Sequence, residues 1–281
     1  MLGIDFIISW GEVWFLIAIG IIWLIGAIIQ DFRKLEVANW WSFSLLVIGL
    51  TYRGFLGVYT GDYWWFLWGI IGVAGGFILS NVLYYARAFA GGDSKLLMAF
   101  GSILLLSLDL RTNLFIVGIF FGIFLFGGGV YGLVYSLYLS LINRKEFSKV
   151  FSRISKENKK VIYLVDLISL IFLVLGVILF PLIAWLFALI FLSPWLLVFA
   201  KAVEECCMVR FISTNSLTVG DWLVENVKFG KKIIKPNWEG LNEEELKILR
   251  GYKGKVKVKY GIPFTPSFLI GFLGLLIILC L

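Results

Sequence analysis

The chain has 281 residues, of which 60% are hydrophobic, 17% aromatic and only 15% charged, and its mean hydropathy is +0.96. Soluble domains carry about 25% charged residues, so the composition excludes an ordinary soluble enzyme and describes a polytopic membrane protein. The net charge of +7 lies in loops between apolar runs, as a cytoplasm-facing surface requires, and argues against nucleic acid as a partner. The chain has no histidine, and its only cysteines are Cys206, Cys207 and Cys280. A His-ligated metal, a zinc cluster and a histidine general base are therefore excluded, and no cofactor or metal is expected. Chemistry must rest on carboxylates, hydroxyls, amines or thiols.

The N-terminus carries Asp5 and Glu12 rather than basic residues before its apolar run. That is the wrong charge for a signal peptide, so it is expected to be retained and non-cytoplasmic. A first span is predicted over roughly Val13 to Gln30, about 18 residues, just long enough for a hydrocarbon core of about 30 Å. It ends at Asp31, and Arg33 and Lys34 mark the next loop as cytoplasmic. The second span, roughly Trp40 to Gly57, opens with a tryptophan pair suited to the headgroup interface, and the third runs roughly from Tyr63 to Ala86. Arg87 then returns the chain to the cytoplasm. Loop charges alone thus put Asp31 and Asp93 on one side.

A fourth span from Leu96 to about Leu108 has about 13 apolar residues and covers only about 20 Å. This sets Asp93 near or slightly below the cytoplasmic interface. The fifth, roughly Leu114 to Ile142, contains Gly127-Gly128-Gly129, which predicts a kink or a close helix contact, and a basic cytoplasmic loop follows from Arg144 to Lys160. Val161 to Ala200 reads as a helical hairpin turning near Phe180-Pro181. Residues 201–262 then hold 12 Lys/Arg and 8 Asp/Glu, close to half of all the charges in the chain, and are expected to form a small soluble domain. Within it, Asn242 with Glu245 reads as a capping box opening a helix that stops at Gly251. Lys255 to Tyr260 alternates as a half-wet strand does. A last span covers roughly Ser267 to Leu281. The expected architecture is an all-α polytopic membrane protein of about eight transmembrane helices, with a small α+β cytoplasmic domain inserted before the last helix. Its parts are a core at 1–200, the soluble domain at 201–262 and the final helix at 263–281.

The candidate chemistry centres on Ala90-Gly91-Gly92-Asp93-Ser94-Lys95. An ionisable residue at the edge of a span costs several kcal/mol unless it has a use or a partner. Asp31 is the expected partner of Asp93. Two carboxylates at hydrogen-bonding distance share one proton, so that one activates a water while the other donates to the scissile carbonyl. Gly91 and Gly92 would let an extended substrate lie along the backbone, and Lys95 either stabilises the Asp93 anion or marks the interface. The bland alternatives are an N-capping Asp93 and an Asp31 that is merely an interface charge. Asp166, one turn into the sixth span, is the rival acid, with Lys159 or Lys160 as its expected partner. Cys206-Cys207 reads as structural, since no base stands ready to activate it.

These residues resemble the type IV prepilin peptidase family, in its archaeal branch with the preflagellin peptidases. Asp31 with Asn39 eight residues on resembles the family's first motif, although Val37-Ala38-Asn39 lacks its proline. Gly92-Asp93-Ser94-Lys95-Leu96 resembles the second, a GxGD motif, with Ala90 in place of its first glycine. Gly261 to Pro266 resembles a tail of archaeal members that carry a soluble insert. The resemblance implies a multi-pass enzyme of the plasma membrane, in contact with lipid, an aspartyl endopeptidase acting at the cytoplasmic face. It would remove a short basic leader from pilin-like or flagellin precursors, with Asp31 and Asp93 catalytic and Asn39, Ala90, Gly91, Gly92 and Lys95 shaping the substrate loop. No N-methyltransferase activity is expected. A transporter or a secretion-system scaffold is the alternative, and the oligomeric state is open.

Overall fold

A computed structural model describes residues 8–179, 181–229, 232–237, 239–251 and 254–281. Six helices among these are long and apolar enough to cross a membrane. The chain divides into two compact units, residues 1–133 with 262–281, and residues 134–261.

The first unit contains α1 (Trp10–Lys34), α2 (Asn39–Thr60), α3 (Trp64–Tyr85), α4 (Gly91–Leu104), the first part of α5 (Leu110–Ile142) and α10 (Pro266–Cys280). Apart from α4 and α10, each of these is of spanning length. The α4 helix is the buried centre. Leu96, Leu97 and every residue from Ala99 to Leu104 are buried, and the ring of Phe100 stacks on Phe120 and meets Phe272 edge-on, both at 5.1 Å. Where α3 crosses α4, a Cβ added to either Gly72 or Gly101 would stand 2.1 Å from the other's carbonyl oxygen. Only glycine permits that approach.

The expected fourth span, Leu96 to Leu108, differs from the helix found. It begins five residues earlier, because Gly91 and Gly92 join the first turn, and it stops at Leu104. A helix that stops inside an apolar unit leaves carbonyls without partners, at a cost of several kcal/mol each in hydrocarbon. Polar side chains supply the missing donors here. Arg53 of α2, fully buried, donates from Nε to Ser102 O at 2.6 Å, from one terminal nitrogen to Leu105 O and from the other to Trp65 O at 3.4 Å. Asn113 exchanges two bonds with the Ser107 backbone, and Trp68 Nε1 donates to Leu108 O at 3.1 Å.

The tryptophan pair expected at a headgroup interface divides its roles. Trp40 faces outward, whereas Trp41 stacks on Trp23 at 5.0 Å and donates to the Trp23 carbonyl, fastening α2 to α1. The glycine triplet of α5 makes no break. Gly127 faces Ile270, and Gly128 faces Ser267 and Phe264, which is the close helix contact of the two readings.

The second unit contains the end of α5, α6 (Arg144–Glu157), α7 (Lys159–Leu179), α8 (Pro181–Cys207), β1 (Val209–Ser213), β2 (Trp222–Leu223), β3 (Val227–Phe229), β4 (Lys232–Ile234), α9 (Glu243–Arg250) and β5 (Lys255–Lys259). Phe180, at the expected hairpin turn, lies outside the described residues, and α7 and α8 pack together on either side of it. The α6 helix is amphipathic, turning Ile154, Phe147, Val150 and Phe151 toward Val198 and Ala202 of α8. One antiparallel sheet runs in the order β1-β5-β2, and β3 pairs with β4. The alternation in β5 buries Val256 and Val258 against Leu246 and Leu249 of α9. That helix opens with the expected capping box, in which Asn242 accepts from Glu245 N–H and the Glu245 side chain accepts from Asn242 N–H.

Candidate active site

Asp31 occupies the last turn of α1. It is buried, at 6% exposure, and the helix ends beside it because Leu35 takes a left-handed conformation, φ 55°, and donates its N–H to Asp31 O at 2.8 Å. Asp93 lies in the first turn of α4, where a carboxylate is favoured by the N-terminal dipole. The chain enters that turn through Arg87, φ 61°. Leu35 and Arg87 are the two non-glycine residues with positive φ among the described residues, and one frames each aspartate. Strained backbone of this kind clusters at functional sites.

The aspartates stand at one end of the unit, with Asp93 within electrostatic reach of Asp31. The backbone N–H of Thr265 donates to Asp31 Oδ2 at 3.1 Å and its hydroxyl donates to the same oxygen at 2.9 Å. The Phe264 ring is held in turn by Phe89, at 5.7 Å, and by Phe124, at 5.6 Å. The segments that carry Asp31, Asp93 and the chain's tail thus meet in one packed corner.

Ala90 caps α4 in extended conformation, and its carbonyl accepts from the Ser94 N–H and hydroxyl. A Cβ on Gly92 would meet Val37 N at 3.4 Å, whereas Gly91 faces open space. Lys95 Nζ donates to Asn39 Oδ1 at 2.6 Å, tying the start of α4 to the start of α2. The lysine is therefore engaged with Asn39, which both the anion-stabilising and the interface-marker readings missed. The rival Asp166 also differs from expectation: its Oδ2 accepts from Trp195 Nε1 at 3.1 Å rather than pairing with a lysine. Cys206 and Cys207 are free thiols. Among the described residues no group of His, Cys, Asp and Glu side chains stands together as a metal site.

Below Asp93, Leu97, Gly101 and Leu104 follow at spacings of four, four and three residues, which places all four on one face of α4. These three line an apolar cavity of about 250 Å³ between α3, α4 and α5, together with Gly72, Gly75 and Gly76. Sequence reasoning missed two side chains that hold this unit together, Thr265 and Arg53. Thr265 lies 234 residues from its partner, and its only signal was the Pro-Phe-Thr-Pro tail. Arg53 had a plainer one, a lone arginine in an apolar run.

Fold and site together describe a multi-pass helical membrane protein with two acids near each other at the end of a short central helix. Residues 18–139, a stretch that contains both aspartates, are similar to the type IV leader peptidase family. No curated protein and no solved structure matches the chain.

Proposed function

We propose that the protein is an aspartyl endopeptidase that removes the short basic leader from archaeal pilin-like or flagellin precursors at the cytoplasmic face of the plasma membrane. The single observation that supports this most is the convergence of Asp31 and Asp93 with unlike surroundings, Asp31 clamped by two donors from Thr265 and Asp93 set in the first turn of α4. Unequal environments are how two like groups acquire separate acid and base roles.

In this reading, Asp31 takes a proton from water as the water oxygen bonds to the scissile carbonyl carbon. The carbonyl π pair moves to oxygen and receives the proton of Asp93, giving a gem-diol. The C–N bond then breaks, the leaving nitrogen takes the proton from Asp31, and a gem-diol hydroxyl returns one to Asp93, restoring both groups. The apolar cavity on the Asp93 face of α4 has room for one or two apolar side chains of the hydrophobic segment that follows the cleavage point. All eight expected helices serve as membrane segments, with α4 and α10 the short ones. The soluble domain at 201–262 faces the cytoplasm and contributes to substrate choice.

The test is incubation of the purified protein in detergent with candidate prepilins and preflagellins. Leader removal is expected from the wild type, and Asp31→Asn and Asp93→Asn should each lower it by about 10³-fold or more while melting normally. Near-normal turnover by either variant would sink the assignment.

A further inference from the structure

Threonine at the start of a helix ordinarily turns its hydroxyl to an amide of the first turn, which stabilises the helix by about 1 kcal/mol. Thr265 stands at the N-cap of α10 and makes no such bond. It is fully buried between Pro263-Phe264 and Pro266, and its hydroxyl and its N–H both go to Oδ2 of Asp31. A local preference set aside in favour of a contact 234 residues away marks a functional constraint rather than a helix cap.

We infer that Thr265 is a positioning residue that holds Asp31 as the ionised partner of the pair, occupying Oδ2 and leaving Oδ1 to the water. Hydrogen bonds donated to a carboxylate favour its charged form over the acid, and two donors on one oxygen also fix the rotation of the group. The tail then serves the site without touching substrate. The aromatic packing of Phe264 on Phe89 and Phe124 ties that clamp to the segment entering α4, so the donor and Asp93 are set by one cluster. This inference rests on the peptidase reading for its kinetic consequence, but not for the state of Asp31.

The experiment uses the full chain in detergent with Thr265→Val and Thr265→Ser. Valine keeps the shape of threonine and cannot donate, whereas serine keeps the hydroxyl and loses the methyl. If Thr265 acts through its hydrogen bond, the valine variant loses about 10- to 100-fold in kcat with KM little changed, and serine restores most of it. If Thr265 merely packs, valine is benign and serine is the damaging change, which would overturn the inference. A second readout needs no substrate: a hydrophobic carbodiimide modifies protonated carboxyls, and peptide mass spectrometry should show more modification at Asp31 in the valine variant than in wild type or serine. Equal labelling in all three would also overturn it. If the wild type cleaves no leader-bearing protein, the proposed function fails while the labelling still decides the role of Thr265. Thr265→Ala repeats the comparison should the valine variant not fold.

Discussion

The two ends of α4 are built for opposite purposes. At its start, the first turn holds an acid, Asp93, half-buried beside a second acid. At its end, the guanidinium of Arg53 donates to Ser102 O in the last turn and to Leu105 O just beyond it. The closed end allows the helix to be short, and shortness places the other end where a second carboxylate and a tail can reach it. Membrane-embedded helices usually gain their polar groups at a boundary with water. Here Arg53 places three donors at the end remote from both acids, and the other end is left with two carboxyl groups near each other.

The sharpest way to break that contrast is to open the closed end. Arg53→Leu removes the donors from Ser102 O and Leu105 O and leaves buried acceptors unsatisfied, so thermal unfolding in detergent should show a loss of roughly 3–5 kcal/mol, with activity falling along with the folded fraction. Arg53→Lys keeps a charge but loses the planar fork, and it should fall between the two. A leucine variant as stable as the wild type would mean that the end of α4 is held by something else.

A smaller effect tests the reactive end. If Asp31 and Asp93 share one proton, kcat should fall both in acid, where a second proton is added, and as pH rises and the shared proton is lost. A kcat that is flat across both limbs would mean that the two carboxyls do not act as a pair.

The contrast also explains what the sequence disclosed. That Asp31 and Asp93 lie near each other was legible because loop charges count sides of a membrane, and charge is a local property. The start of α4 was not, because Gly91-Gly92 reads as a break when only propensity is considered, whereas packing of Leu96 to Leu104 carries the helix back through it. The end was misplaced for the complementary reason: Leu105 to Leu108 is as apolar as the helix before it, and the stop is imposed by Arg53, 49 residues from the carbonyl it caps. The capping box at Asn242 was read correctly because all of its parts lie within four residues. Thr265 was out of reach, since nothing local distinguishes a hydroxyl that caps its own helix from one given to a distant acid.

The central claim is that Asp31 and Asp93 meet. Replacing both with cysteine, in a chain whose Cys206, Cys207 and Cys280 are serine, tests it directly, because a disulfide requires Cα atoms within about 7 Å. Oxidation of the folded protein in detergent should join the two positions, at least in part without substrate and more fully with a leader peptide bound, as read by a diagnostic cross-linked peptide. The absence of that cross-link both with and without the peptide would contradict the pair and the mechanism built on it.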